Sequence, residues 1–144
     1  MVEKDTIKLL RECDAGVKMG VSSIEDVMEK TCSESLESIL RASKCEHIML
    51  GGEIEEKLRS HCDSGKEPSC MAKKMSWMKT NVKLAVDDSD AVIADLMTDG
   101  CNMGVKSLSR YLNQYKAADE ASKDIAKRLI GMEEKLSVDM RAYL

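Results

Sequence analysis

Apolar residues recur every three or four positions along almost the whole chain, the spacing that lines one face of an α-helix. From Asp5 to about Lys30 they are Leu10, Cys13, Val17, Val21, Ile24 and Met28, while Lys8, Arg11, Lys18 and Glu25 lie off the stripe. Thr31 and Glu34 then stand at capping-box spacing, where a hydroxyl and a carboxylate satisfy the free amides of a helix start, so the first hairpin is expected to turn there. A second helix is predicted from about Ser33 to Cys62, with Leu36, Ile39, Leu40, Ser43, His47, Leu50, Ile54 and Leu58 facing inward. Gly51-Gly52 interrupts it with residues that each cost about 1 kcal/mol relative to alanine, so a close helix contact or a local irregularity is expected at that point. Ser64-Gly65-Lys66-Glu67-Pro68 stops the helix.

Beyond the stop, Met71, Met75, Met78, Val82 and Ala85 have the spacing of a shorter helix, which ends at the cap-rich run Asp87-Asp88-Ser89-Asp90. Two more long helices follow. One runs from about Ser89 to Tyr115 on Ile93, Met97, Cys101, Val105, Leu108, Leu112 and Tyr115. The other runs from about Asp119 to Arg141 on Ile125, Leu129, Met132, Leu136 and Met140. The pattern predicts one all-α domain over 1–144: hairpin one at about 5–63, a crossover at about 64–88, and hairpin two at about 89–142. A link of about 24 residues can climb back along a bundle and leave the helices on either side of it parallel.

An internal repeat supports the two-hairpin reading. Cys13-Asp14-Ala15-Gly16-Val17-Lys18 recurs 88 positions later as Cys101-Asn102-Met103-Gly104-Val105-Lys106, and Glu46 maps by the same offset to Glu134. Composition narrows the class further. A 33% charged fraction, no Phe and a single Pro suit long amphipathic helices better than sheets. The net charge of −4 is made of interspersed signs with no basic run, which argues against nucleic acid. Short apolar runs and a charged start at Val2-Glu3-Lys4-Asp5 support neither a membrane span nor a signal segment. Six cysteines without a Cys-x-x-Cys pair read as thiols in a reducing cytoplasm, with Cys62 and Cys70, flanking the Gly/Pro stop, the one pair that could be brought close.

With Glu12-Cys13-Asp14-Ala15-Gly16 in the first hairpin, Met71-Ala72-Lys73-Lys74-Met75-Ser76-Trp77-Met78-Lys79 in the link and Asp99-Gly100-Cys101-Asn102 in the second hairpin, the chain resembles the ferritin-like superfamily. It is most similar there to small bacterial ferritin-like proteins. The resemblance implies a ferritin-like four-helix bundle of two helical hairpins joined by a long helical crossover; it does not by itself imply iron. Di-iron bundles of that superfamily take one Glu from each of two helices and a Glu-x-x-His from each of the others. Here Asp14 is the nearest acid on the first helix and its repeat partner is Asn102, while Met49 and Ser137 stand where histidines would follow Glu46 and Glu134.

Candidate chemistry is accordingly sparse. His47 and His61 lie on one helix, about 21 Å apart at 1.5 Å per residue, too far to share a metal ion. His47, on the inner stripe, reads as a hydrogen-bonded core residue. No nucleophile arrangement or phosphate loop appears, so no catalytic residue and no cofactor are expected. The alternative is an iron or zinc site built from Asp14, Glu46, His47 and Glu134, or zinc on Cys13, Cys101 and His47. Gly16-x-x-x-Gly20 and Gly100-x-x-x-Gly104 permit close helix approach. Most of the eleven methionines fall at core spacing. Met71, Met75, Trp77 and Met78 in the link are the exception, since they suit an exposed patch for a homodimer or another protein partner. The expected function is that of a non-catalytic structural or interaction module.

Overall fold

The computed structural model describes residues 2–31, 33–63, 65 and 89–144, and every long element in them is helical. α1 is Val2–Met28, α2 is Glu34–Ser60, α3 is Ser89–Gln114 and α4 is Glu120–Met140, followed by a 3-10 turn at Arg141–Tyr143. The chain is thus an all-α four-helix bundle, and none of these helices is long and apolar enough to cross a membrane. The helix expected within 71–86 lies outside the described residues, and so do Met71, Met75, Trp77, Met78 and Cys70.

Helix ends are set by side chains that supply missing backbone partners. Ser33 caps α2 by accepting from the Leu36 amide, and Asp119 caps α4 by accepting from the Ser122 amide. Thr31 does not cap α2 as its spacing with Glu34 suggested. Its hydroxyl donates backward to the Met28 carbonyl at 2.9 Å and closes the last turn of α1. At the other end of α2 the Cys62 amide donates to Arg59 O and the Asp63 amide to Leu58 O, a Schellman closure with Cys62 at φ 57° in the position usually held by glycine.

Two sets of hydrogen bonds between distant segments fix the directions of the helices. At one end of the bundle the Ser33 amide donates to Asp90 Oδ2 at 3.0 Å, which joins the start of α2 to the start of α3. At the other end the Ala117 amide donates to Asp5 Oδ2 at 3.0 Å and the Asp119 amide to Thr6 Oγ1 at 2.8 Å, which joins the start of α4 to the start of α1. α1 and α4 therefore run parallel, as do α2 and α3, and each hairpin is antiparallel. This is the connectivity that a long crossover between α2 and α3 requires. α3 and α4 also begin within two residues of the positions that the 88-residue offset assigns from α1 and α2.

The apolar core forms two clusters along the bundle axis. One contains Ile24, Val27, Leu36, Leu40, Ile93, Met97, Leu136 and Met140. The other contains Leu9, Leu10, Val17, Leu50, Ile54, Leu58, Leu108, Ile125 and Leu129. Gly51 is a close contact, since a Cβ there would stand 3.0 Å from Val17 Cγ1, whereas Gly52 has nothing within 4 Å. α2 continues as regular helix through both. Cys13 and Cys101 are buried in different clusters, so these equivalent positions of the repeat do not meet.

Candidate functional site

Between the two clusters all four helices contribute to a single polar layer. His47 comes from α2, Glu133 from α4, Gly20 from α1 and Gly104 from α3. The apolar stripe of α2 puts His47 inside, where it is 0% exposed. Its Nδ1 stands 2.7 Å from the Ser43 carbonyl oxygen and its Nε2 2.9 Å from Glu133 Oε1. A carbonyl only accepts, so Nδ1 carries a proton and donates. Nε2 against a carboxylate then favours the doubly protonated ring. Burial pushes the histidine pKa down, but the Glu133 hydrogen bond and charge, the Ser43 carbonyl and the more distant Glu46 together raise it above the free value.

The glycines make room for this pair. A Cβ on Gly20 would fall 2.8 Å from His47 Cδ2 and 2.9 Å from Nε2, and one on Gly104 would touch Glu133 Oε2 at 3.4 Å. The small residues at Gly20 and Gly104 thus admit the side chains of α2 and α4. Cys101, one turn from Gly104, donates its thiol to Glu133. Its pKa is raised by burial first and then by the Glu133 charge and hydrogen bond, so it stays a protonated thiol. The Cys13 thiol is pushed up to about 12 by burial and by its acidic neighbours Glu12 and Asp14.

Beside the layer a cleft opens between α1 and α3, with a cavity volume of about 50 Å³. His47, Glu133 and Cys101 stand at its base, the glycines of both helices run along it, and Met19, Met97 and Met103 form its walls. Ser23 also lines it. This residue is only 4% exposed, and its Oγ has no hydrogen-bond partner among the described residues.

The candidate metal ligands do not converge on this layer or on one another. Asp14 is buried but bonds Lys18 at 2.9 Å, and Gly65 packs over its carboxylate. Glu46 lies at the surface near Lys135 at 3.5 Å, and Glu134 is exposed. Only His47 of the four enters the polar layer, and its acidic partner is the neighbour of the residue expected. Among the described residues no three His, Cys, Asp or Glu side chains group as a metal ion would require. The iron or zinc set is therefore a poor fit to this geometry. Glu133 was legible in principle, because it falls four residues after Leu129 and three before Leu136, on the same inner stripe; the 88-residue offset pointed instead to Glu134. Compared with family models, with curated proteins and with solved structures, the chain matches none.

Proposed function

We propose that this chain is a non-catalytic binding module built on a ferritin-like bundle, with the α1/α3 cleft as its working surface. The parallel α2 and α3 support the ferritin-like part of the reading. The non-catalytic part is supported by the state of the polar layer: both ring nitrogens of His47 are engaged, and Cys101 is a protonated thiol. A histidine so held has no free lone pair with which to act as a base or bind a metal. The observation that carries the binding role is the cleft itself, which stays open beside a layer whose own hydrogen bonds are met. At about 50 Å³ its cavity holds a small group or the tip of a longer molecule, well short of the several hundred Å³ of a pocket that buries a whole drug-sized ligand.

Xenon, which enters small apolar cavities without any polar requirement, tests the reading directly. In protein carrying ¹³C-methyl methionine, xenon pressure should move the NMR signals of Met19, Met97 and Met103, the methionines that line the cleft. Unmoved methionine signals in a folded wild-type protein would end the cleft reading.

A further inference from the structure

We infer that two copies of this chain associate weakly through the outer face of α2, the two α2 helices lying antiparallel about a twofold axis that passes beside Ile48. From Ser38 to Gly52 the exposed positions of α2 carry a single charge, that of Arg41. Over a comparable stretch of α4, residues 124–135, Gly131 is the one exposed position without a charge. On α2 the exposed Ala42, Cys45, Met49 and Gly52 follow one another at intervals of three, four and three residues, the repeat of a helix–helix seam, on the side away from the buried stripe. Met49 is 77% exposed and Ile48, on its flank, 52%. The nearest charges are drawn off toward neighbouring helices: Lys44 pairs with Glu25 of α1 at 3.0 Å, and Glu46 with Lys135 of α4 at 3.5 Å. None of the seam residues lines the cleft.

A second copy is the occupant this face fits, because its two ends complement each other. Arg41 and Glu55 stand seven residues to either side of Ile48 on the same flank, so a twofold axis at Ile48 sets the Arg41 of each copy against the Glu55 of the other. Glu55 has no ion pair among the described residues. Arg41 bonds Glu37 of its own helix and carries donors enough for both carboxylates. The same axis brings Ile48 against its own counterpart and lays Met49 over Cys45, while the small Ala42 and Gly52 at the ends let the helix axes come close. On the other flank the two Glu46 carboxylates approach with a Lys135 each, so that side meets as two opposed ion pairs. A parallel pair would instead set Ile48 beside Glu53 and leave Glu55 unanswered. Four turns of helix make a seam about 22 Å long. Against the total of about 1,600 Å² that a standard interface buries this is small, and a dimer with a Kd on the order of tens of micromolar is expected.

Sedimentation equilibrium of the full chain in reductant, from dilute to millimolar protein, reads the association. Wild type is expected to pass from monomer toward dimer over that range. Met49→Glu, at a position the monomer leaves in solvent, should weaken association about tenfold or more while the protein stays folded. Arg41→Glu should weaken it about three- to tenfold by setting carboxylates together, and adding Glu55→Arg should restore it. Positions 41 and 55 are about 21 Å apart along their own helix, so that rescue acts only between molecules. The exposed thiols give an independent reading. Cys45, in the seam, should be alkylated as readily as Cys62 in dilute solution and more slowly than Cys62 as the concentration rises. A wild type that is still monomeric at millimolar concentration overturns the inference, whether its Cys45 is open to reagent or covered within its own chain. So does a dimer indifferent to Met49→Glu, or a loss on Arg41→Glu that Glu55→Arg fails to repair.

Discussion

A methyl group at position 20 would have nowhere to go. The His47 ring it would strike is pinned at both nitrogens, so the ring cannot swing aside without giving up a bond to Ser43 or to Glu133. The same fixation makes His47 a reporter of pH. Its folded pKa lies above the free value of 6.5, so its contribution to stability is fully present below that pH. The contribution fades as pH rises through the raised value. The melting-temperature gap between wild type and His47→Gln should therefore narrow as pH is taken upward from 6.5. A gap that is flat or widens over that range contradicts the protonated pair. The cysteines give a second residue-scale test. Cys13 and Cys101 are buried, protonated thiols, while Cys45 and Cys62 are exposed. Brief alkylation of native protein followed by peptide mass spectrometry should label Cys45 and Cys62 and spare the buried two, because only an accessible thiolate reacts. Rapid labelling of Cys101 would mean that the layer opens readily.

At the scale of the helix, the same amino acid carries opposite consequences at different turns. Gly52→Ala meets nothing within 4 Å and should stabilise α2 by about 1 kcal/mol through helix propensity alone. Gly20→Ala overpacks the His47 ring and should destabilise by about 1–3 kcal/mol. Urea denaturation of the two variants checks the pair, and equal signs would show that the ring is not held as described. The elements themselves were largely written in the sequence, because apolar spacing reports burial directly. Of the stripe predicted for α2, Leu36, Leu40, Ser43, His47, Leu50, Ile54 and Leu58 lie inside and Ile39 is half-buried. Ser33 and Asp119 mark helix starts for the same reason: a short polar side chain competes for free amides. Thr31 misled because it too has a hydroxyl at the boundary, and only geometry shows it turned toward α1. The polar layer was half legible. His47 sits on its stripe, but its partner is decided by how α2 and α4 slide past each other, and spacing within one helix carries no such information. The cleft was not legible at all, since it is a gap between α1 and α3, and the glycine spacing that marks it reads equally as tight packing.

For the whole molecule, the decisive arrangement is a polar layer with an apolar cluster on either side. Breaking the pair from one side leaves a buried group without its partner, so Glu133→Leu should cost about 3 kcal/mol. Replacing both members with apolar residues, as in His47→Leu with Glu133→Met, should recover most of that loss, because the desolvation of two charges is removed along with their attraction. Chemical denaturation of the single and double variants measures the coupling, and strictly additive losses would show that the two residues do not act as a unit.

The layer has a bearing on which of several near-equal packings of its own helices this chain adopts. Two hairpins with similar stripes can be docked with either one displaced by a helical turn, about 5.4 Å, and the leucines and isoleucines would mesh nearly as well. After such a slip His47 would face an apolar ring of the neighbouring cluster, Glu133 would lose its imidazolium, and Gly20 and Gly104 would open voids against ordinary side chains. His47 and Glu133 thus work as an index mark on a vernier, readable at one alignment only. The apolar double variant erases that mark. It is the form in which several near-equal alignments should coexist, visible as multiple or broadened methionine methyl signals in a protein that has lost none of its helix.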